Sequence, residues 1–254
     1  MSVVTVTVTG MTDIDHWDLP PDREVDGFAE CTLTLVLPPF APHSRATRTS
    51  VDGFAPHDPT RARAFVESFP TVEAVLDELP PTDAGPEHPG DRADLDLVRV
   101  GCWGNVIAMA DFAITDFGDF GALLDTTTAL AERFPDARII GSASLDGGAH
   151  HVETVVHLPG GLRLYSEGWA DGDRYDLDGD PHAIARAVGI APEVLAARDF
   201  DLDGAPWSVG WTAFGHFLLE PYDPWGYKAL RMSHFRVRHT EDATLRMEDV
   251  WFRD

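Results

Sequence analysis

The chain has 254 residues, and 43 acidic side chains against 19 basic ones give it a formal net charge of −24. So negative a surface repels phosphate, which excludes nucleic acid and anionic membranes as partners and suits a basic protein instead. With 44% apolar residues, a chain of this length can bury a full core without disulfide staples. Its acids are 30 Asp and 13 Glu, and its bases are 18 Arg and one Lys, Lys228. Abundant Arg and Asp beside scarce Lys, Asn and Gln read as a GC-rich coding bias. Cys31 and Cys102 form no disulfide framework and no metal knuckle, and read as buried thiols in a reducing compartment. No apolar run approaches the ~18–20 residues of a membrane span, so the expected location is the cytoplasm.

Val4, Val6 and Val8 alternate with threonines, so residues 1–10 read as an edge strand, or as an extension upstream of Met11. Cys31–Leu37 reads as a strand with Cys31, Leu33, Leu35 and Leu37 on one face, stopped by Pro38 and Pro39. Phe-Ala-Pro-His at 40–43 recurs at 54–57, and Val-Asp-Gly-Phe-Ala at 25–29 recurs at 51–55. Residues 40–53 therefore read as an inserted surface loop. Asp58 followed by Pro59 predicts a capped helix to about Phe69, and Thr71 predicts a second to Leu79. The Pro-, Gly- and acid-rich stretch 80–94 is the one weak boundary in an otherwise single expected domain. Strands follow near Leu97–Cys102 and Asn105–Ala110.

Phe120, Leu123, Leu124, Thr127, Ala131 and Phe134 recur at helical spacing and predict a helix over 119–134. A meander of strands follows over Ala137–Ser144, His150–Leu158 and Leu162–Glu167, with a Pro159-Gly160-Gly161 turn. Short helices are expected over 181–188 and 192–198. The alternation over 207–219 favours a strand, although Trp207, Trp211, Phe214 and Leu218 also fit a helix. Two final strands are expected, around Leu230–Val237 and Leu245–Phe252, paired as a hairpin around Thr240–Ala243.

Several residue sets could carry chemistry. Asp199, Asp201, Asp203 and Gly204 match the first half of a calcium loop, but Gly210 stands where the bidentate Glu belongs. Calcium is the one cofactor the sequence suggests. His151, Glu153 and His157 share one strand face and could supply metal ligands, with Val155 interrupting them. The hairpin register would set His234 against Asp249, an orienting pair for an imidazole. Aromatics from Trp207 to Tyr227 are dense enough to line a ligand pocket. Asp171, Asp173, Asp176, Asp178 and Asp180 form the densest acidic patch, suited to a basic partner. The would-be recognition helix of the helix-turn-helix phrase over 184–195 offers only Arg198 as a base, and the Asp-Phe-Gly phrases at 116–121 lack every companion motif of a kinase.

Leu35-Val36-Leu37-Pro38-Pro39-Phe40, Val98-Arg99-Val100-Gly101-Cys102-Trp103-Gly104-Asn105 and Met247-Glu248-Asp249-Val250-Trp251-Phe252 resemble the phrasing of an uncharacterised actinobacterial family of about this length. The resemblance covers residues from about 11 to the end and implies no catalytic residues.

The sequence thus predicts an α+β fold, a largely antiparallel sheet with a few helices packed on one face. Its acidity and lack of catalytic motifs point to a non-catalytic partner-binding protein of regulatory or immunity type. The alternative is a metal-dependent or small-molecule-binding enzyme built on the Asp loop, the His strand or the aromatic segment.

Overall fold

The computed structural model describes residues 15–25, 29–41, 50–85, 88–116, 121–145, 151–169, 175–225 and 227–252, with only the backbone of Lys228. The expected strand at residues 1–10 and most of the duplicated loop, 42–49, lie outside these. Among the described residues, nine strands pair antiparallel into one sheet: β1 (Ala29–Val36), β2 (Val72–Ala84), β3 (Leu97–Trp103), β4 (Val106–Ala110), β5 (Arg138–Leu145), β6 (His151–Leu158), β7 (Leu162–Trp169), β8 (Tyr175–Asp178) and β9 (Tyr227–His239). Their order across the sheet is β2-β9-β3-β4-β1-β5-β6-β7-β8. The helices are α1 (Pro59–Val66), α2 (Ala122–Arg133), α3 (Pro181–Ala187), α4 (Pro192–Ala196), α5 (Trp211–Leu219) and α6 (Glu241–Trp251).

The antiparallel α+β architecture follows the sequence pattern, but the packing of helices on one face does not. Along β5 the alternation of side chains sends Ile139, Ala143 and Leu145 into one core and Ile140 into another. Helices α1, α2 and α6 cover the first core, while α3, α4 and α5 cover the second. The central strands are apolar on both faces, so each face needs a covering layer. Two glycines let the helices come close. A Cβ on Gly141 would lie 2.8 Å from Leu123 Cδ1 of α2, and one on Gly215 of α5 would lie 3.2 Å from Ile140 Cγ2 and 3.3 Å from Thr154 Cγ2.

Asp58 accepts from the Arg61 N–H at the start of α1, and Asp180 accepts from His182 and Ala183 at the start of α3, each with proline at the first turn as the sequence indicates. Four segments differ from expectation. Residues 72–79 are strand, not helix, because the ladder with β9, from Val72↔His239 to Leu79↔His234, outweighs local helix preference. Pro80 and Pro81 fall in a register shift between Leu79 and Thr82 on this edge strand, where a missing N–H is tolerated. The expected structureless stretch 80–94 accordingly begins inside β2 and ends in a 3-10 turn, Arg92–Asp96, that buries Leu95.

Residues 211–219 are helix, since a 3.6-residue period puts Trp211, Phe214 and Leu218 together in the second core. The last expected strand is α6. Thr240 caps it by accepting from the Ala243 N–H at 3.3 Å, Glu241 and Asp242 occupy its first turn, and Ala243, Met247, Val250 and Trp251 enter the first core.

At the rims of the duplicated loop, Phe40 lies 4.1 Å from the Arg138 guanidinium and Phe54 packs edge-on to Trp103 at 5.7 Å. Cys31 and Cys102 are buried and free, as expected. Among the described residues, no helix is long and apolar enough to cross a membrane.

Candidate functional site

The face of the sheet under α5 carries a cavity of about 340 Å³. Its floor is a row of hydroxyls from neighbouring strands: Thr32 of β1 stands opposite Ser142 of β5, and Glu30 opposite Ser144. Arg99 of β3 closes one side, its Nη1 donating to the carbonyls of Gly85 at 2.5 Å and Asp83 at 3.3 Å. Thr212 and His216, one turn apart on α5, form the roof, and Asp223 and Trp225 follow from the next loop.

Gly215 is what seats this roof, because any larger side chain there meets Ile140 and Thr154. Gly215→Val should destabilise the protein by roughly 1–3 kcal/mol through overpacking and displace Thr212 and His216 from the cavity. Thermal unfolding measures the first effect, and an unchanged melting temperature contradicts the close packing.

His216 and Asp223 form the chemically distinctive pair. His216 Nδ1 lies 3.1 Å from Asp223 Oδ2, and Asp223 Oδ1 accepts from the Trp225 N–H at 3.1 Å. A carboxylate only accepts, so Nδ1 carries the proton and the neutral imidazole keeps its lone pair on Nε2. Burial alone would lower the pKa of His216. The hydrogen bond that Nδ1–H donates to Asp223, the charge of Asp223 and the charge of Glu30 override burial and hold the pKa above the ordinary 6.5. The indole of Trp225 is fixed as well, with Nε1 donating to Thr34 Oγ1 at 2.9 Å.

Two further polar clusters lie on the opposite face. Glu153 of β6 is fully buried, stands directly across from Glu167 of β7, and finds no hydrogen-bond partner for either oxygen among the described residues. Glu167 accepts from Tyr165 Oη at 2.8 Å and lies 3.0 Å from His151 Nε2. Burial first, then the charges of Asp116 and Glu167, push the Glu153 carboxyl well above its usual range and outweigh the nearby Tyr165 hydroxyl, which favours the ionised form. In the second cluster, His239 Nε2 lies 3.1 Å from Asp111 Oδ1, and Asp111 also accepts from Thr71 Oγ1 at 2.6 Å and the Ala113 N–H at 2.8 Å.

The residues singled out in the sequence are distributed as follows. His151 and Glu153 share the buried face, whereas His157 is half-buried at the other end of β6. Asp199, Asp201 and Asp203 are exposed, and Asp203 is 3.0 Å from His182 Nε2. Among the described residues, no three His, Cys, Asp or Glu side chains are placed to hold a metal ion.

Asp171 and Asp173 lie outside the described residues. Asp178 pairs with Arg163, and Asp180 caps α3 and lies 3.5 Å from Arg186. His234 and Asp249 do not face each other in a hairpin. His234 sits in β9 opposite Leu79 and Arg99, while Asp249 is an exposed residue of α6. The pairing fails because residues 241–251 wind into a helix, which removes the strand register that would align them.

The aromatic segment does contribute to the cavity, through Trp225, while Trp211, Phe214 and Phe217 pack in the second core and Trp207 is 69% exposed. His216 and Asp223 carry no motif. Their only sequence signal is that they lie within that aromatic segment.

Among the described residues, fold and site together define an α+β protein with a nine-stranded antiparallel sheet, covered on both faces and carrying a cavity of mixed polar and apolar lining with a histidine–aspartate pair. The chain belongs to a family of unknown function (DUF6333), whose model matches residues 16–254. No curated protein and no solved structure matches it.

Proposed function

We propose that this protein binds a small polar molecule in the cavity under α5 and that His216, oriented by Asp223, exchanges a proton with it. One observation carries the reading: the imidazole is fixed through Nδ1 at the wall of a cavity whose size and mixed lining suit a small ligand, which leaves Nε2 for the occupant. The rival reading, docking of a basic partner on the acidic surface, has less support, because Asp178 and Asp180 serve Arg163 and the start of α3.

Two measurements test the proposal. The His216 Cε1–H resonance should titrate with a midpoint above 6.5 in the wild type and lower in Asp223→Asn, since the carboxylate is what raises it. A fragment screen by ligand-observed NMR should give hits that Thr212→Trp, which fills the cavity, abolishes. Hits indifferent to Thr212→Trp, or an unshifted His216 midpoint in Asp223→Asn, would remove the reading.

A further inference from the structure

We infer that the ligand of this cavity is a neutral polyhydroxylated ring, of the sugar or cyclitol class; the inference rests on the cavity reading above. Asp111 also lines the cavity but its carboxylate is spent on His239, and the remaining charges, Glu30 and Asp223 against Arg99 and His216, disfavour ions of either sign. A phosphate or carboxylate ligand needs charge-assisted donors in excess. Arg99 is the one guanidinium lining the cavity among the described residues and already spends Nη1 on two backbone carbonyls, while Glu30 and Asp223 present carboxylates that repel an anion. An ammonium ligand would meet Arg99 and an imidazole that Asp223 makes more basic.

A neutral ligand with many hydroxyls fits what remains. Ser142 and Ser144 each donate and accept, Glu30 only accepts, and Nε2 of His216 accepts when neutral. Each ligand hydroxyl can therefore find a complementary partner without leaving a buried charge unpaired. Trp225 supplies the apolar counterpart. Its indole is tied at Nε1 to Thr34 and at its backbone N–H to Asp223, so it forms a rigid wall at little conformational entropy, suited to the C–H face of a ring.

The test uses the full chain and four probes: myo-inositol, methyl glucoside, inorganic phosphate and tetramethylammonium. Binding is read from the Trp225 indole N–H and the His216 ring resonances, with saturation-transfer difference on the organic probes. The expected result is millimolar or tighter binding of at least one of the two polyols, weakened about tenfold or more by Trp225→Ala. Because Trp225→Ala could disturb the loop, Glu30→Gln, an exposed change on β1, provides the second variant, with an expected loss of severalfold. If phosphate or tetramethylammonium shifts these resonances at lower concentration than the polyols, the ligand class is wrong while the cavity reading stands. If no probe shifts them, the ligand class is likewise overturned, and the Thr212→Trp screen decides the cavity reading on its own.

Discussion

Glu153→Gln should make the protein more stable at neutral pH, by about 1–3 kcal/mol, which for a chain of this size raises the melting temperature by about 2–4 °C per kcal/mol. The native fold holds this carboxyl fully buried, across from Glu167, with no hydrogen-bond partner among the described residues. Taking a charge out of water without pairing it is unfavourable, so the group stays protonated in the native state well above 4.5 and ionises freely only on unfolding. Above pH 4.5 the native state therefore binds more protons than the unfolded state, and stability falls as pH rises until the folded pKa is passed. A glutamine side chain has no proton to lose, so the variant should show a flatter stability profile over that range as well as a higher melting temperature. Thermal unfolding of both forms from about pH 4.5 to about pH 9 measures this. A variant less stable than wild type at every pH would show that Glu153 is ionised and compensated in the native state.

Asp111→Ala should be the most damaging single change at a polar position, costing about 3–5 kcal/mol. Asp111 and His239 are each fully buried, and Asp111 ties together Thr71 ahead of β2, the Ala113 N–H and His239 at the end of β9. Removing it leaves an imidazolium buried with Asp96 as its remaining carboxylate partner among the described residues, 3.8 Å from Nδ1. Although burial opposes it, the charge and hydrogen bond of Asp111, helped by Asp96, raise the His239 pKa from 6.5 to about 9. Burial likewise works against Asp111, but His239 and the Thr71 and Ala113 hydrogen bonds bring its pKa below 3.8.

The signs follow directly. The His239 contribution is complete below about pH 6.5 and is lost as pH rises through about 9, whereas the Asp111 contribution is present above 3.8 and is lost as pH falls through its lowered pKa. Together with Glu153, the pair contributes most between about 4.5 and 6.5, while His157, lowered by burial to about 4, draws the maximum toward the upper end of that window. A denaturant midpoint that peaks above about pH 8 would contradict this. So would an Asp111→Ala variant whose midpoint matches that of the wild type.

The sequence by itself determined the elements whose signals are local. A period-two run marked β1, the strands expected near Leu97–Cys102 and Asn105–Ala110 matched β3 and β4, the Asp-Pro caps marked α1 and α3, and the spacing of Leu123, Thr127 and Ala131 marked α2. These signals survive because side-chain periodicity, capping and proline geometry act within a few residues. The sequence also kept His151 and Glu153 on one face of β6, which alternation alone requires. It failed where two local readings competed. Over 72–79 and 241–251 the apolar spacing suited either structure, and the choice was made by the β9 ladder in one case and by burial of Met247, Val250 and Trp251 against the first core in the other.

The site was beyond local reading altogether. Its residues come from β1, β3, β4 and the turn after it, β5, α5 and the loop that follows, and only the strand order, which sets β5 beside β1, brings Ser142 opposite Thr32. His216 and Asp223 meet because Gly215 lets α5 settle onto Ile140 and Thr154 and because the loop after α5 turns the chain back. Nothing in the spacing of these residues requires that contact. It is a product of packing, since the free energy that fixes α5 comes from burying Trp211, Phe214 and Leu218 on the second face of the sheet.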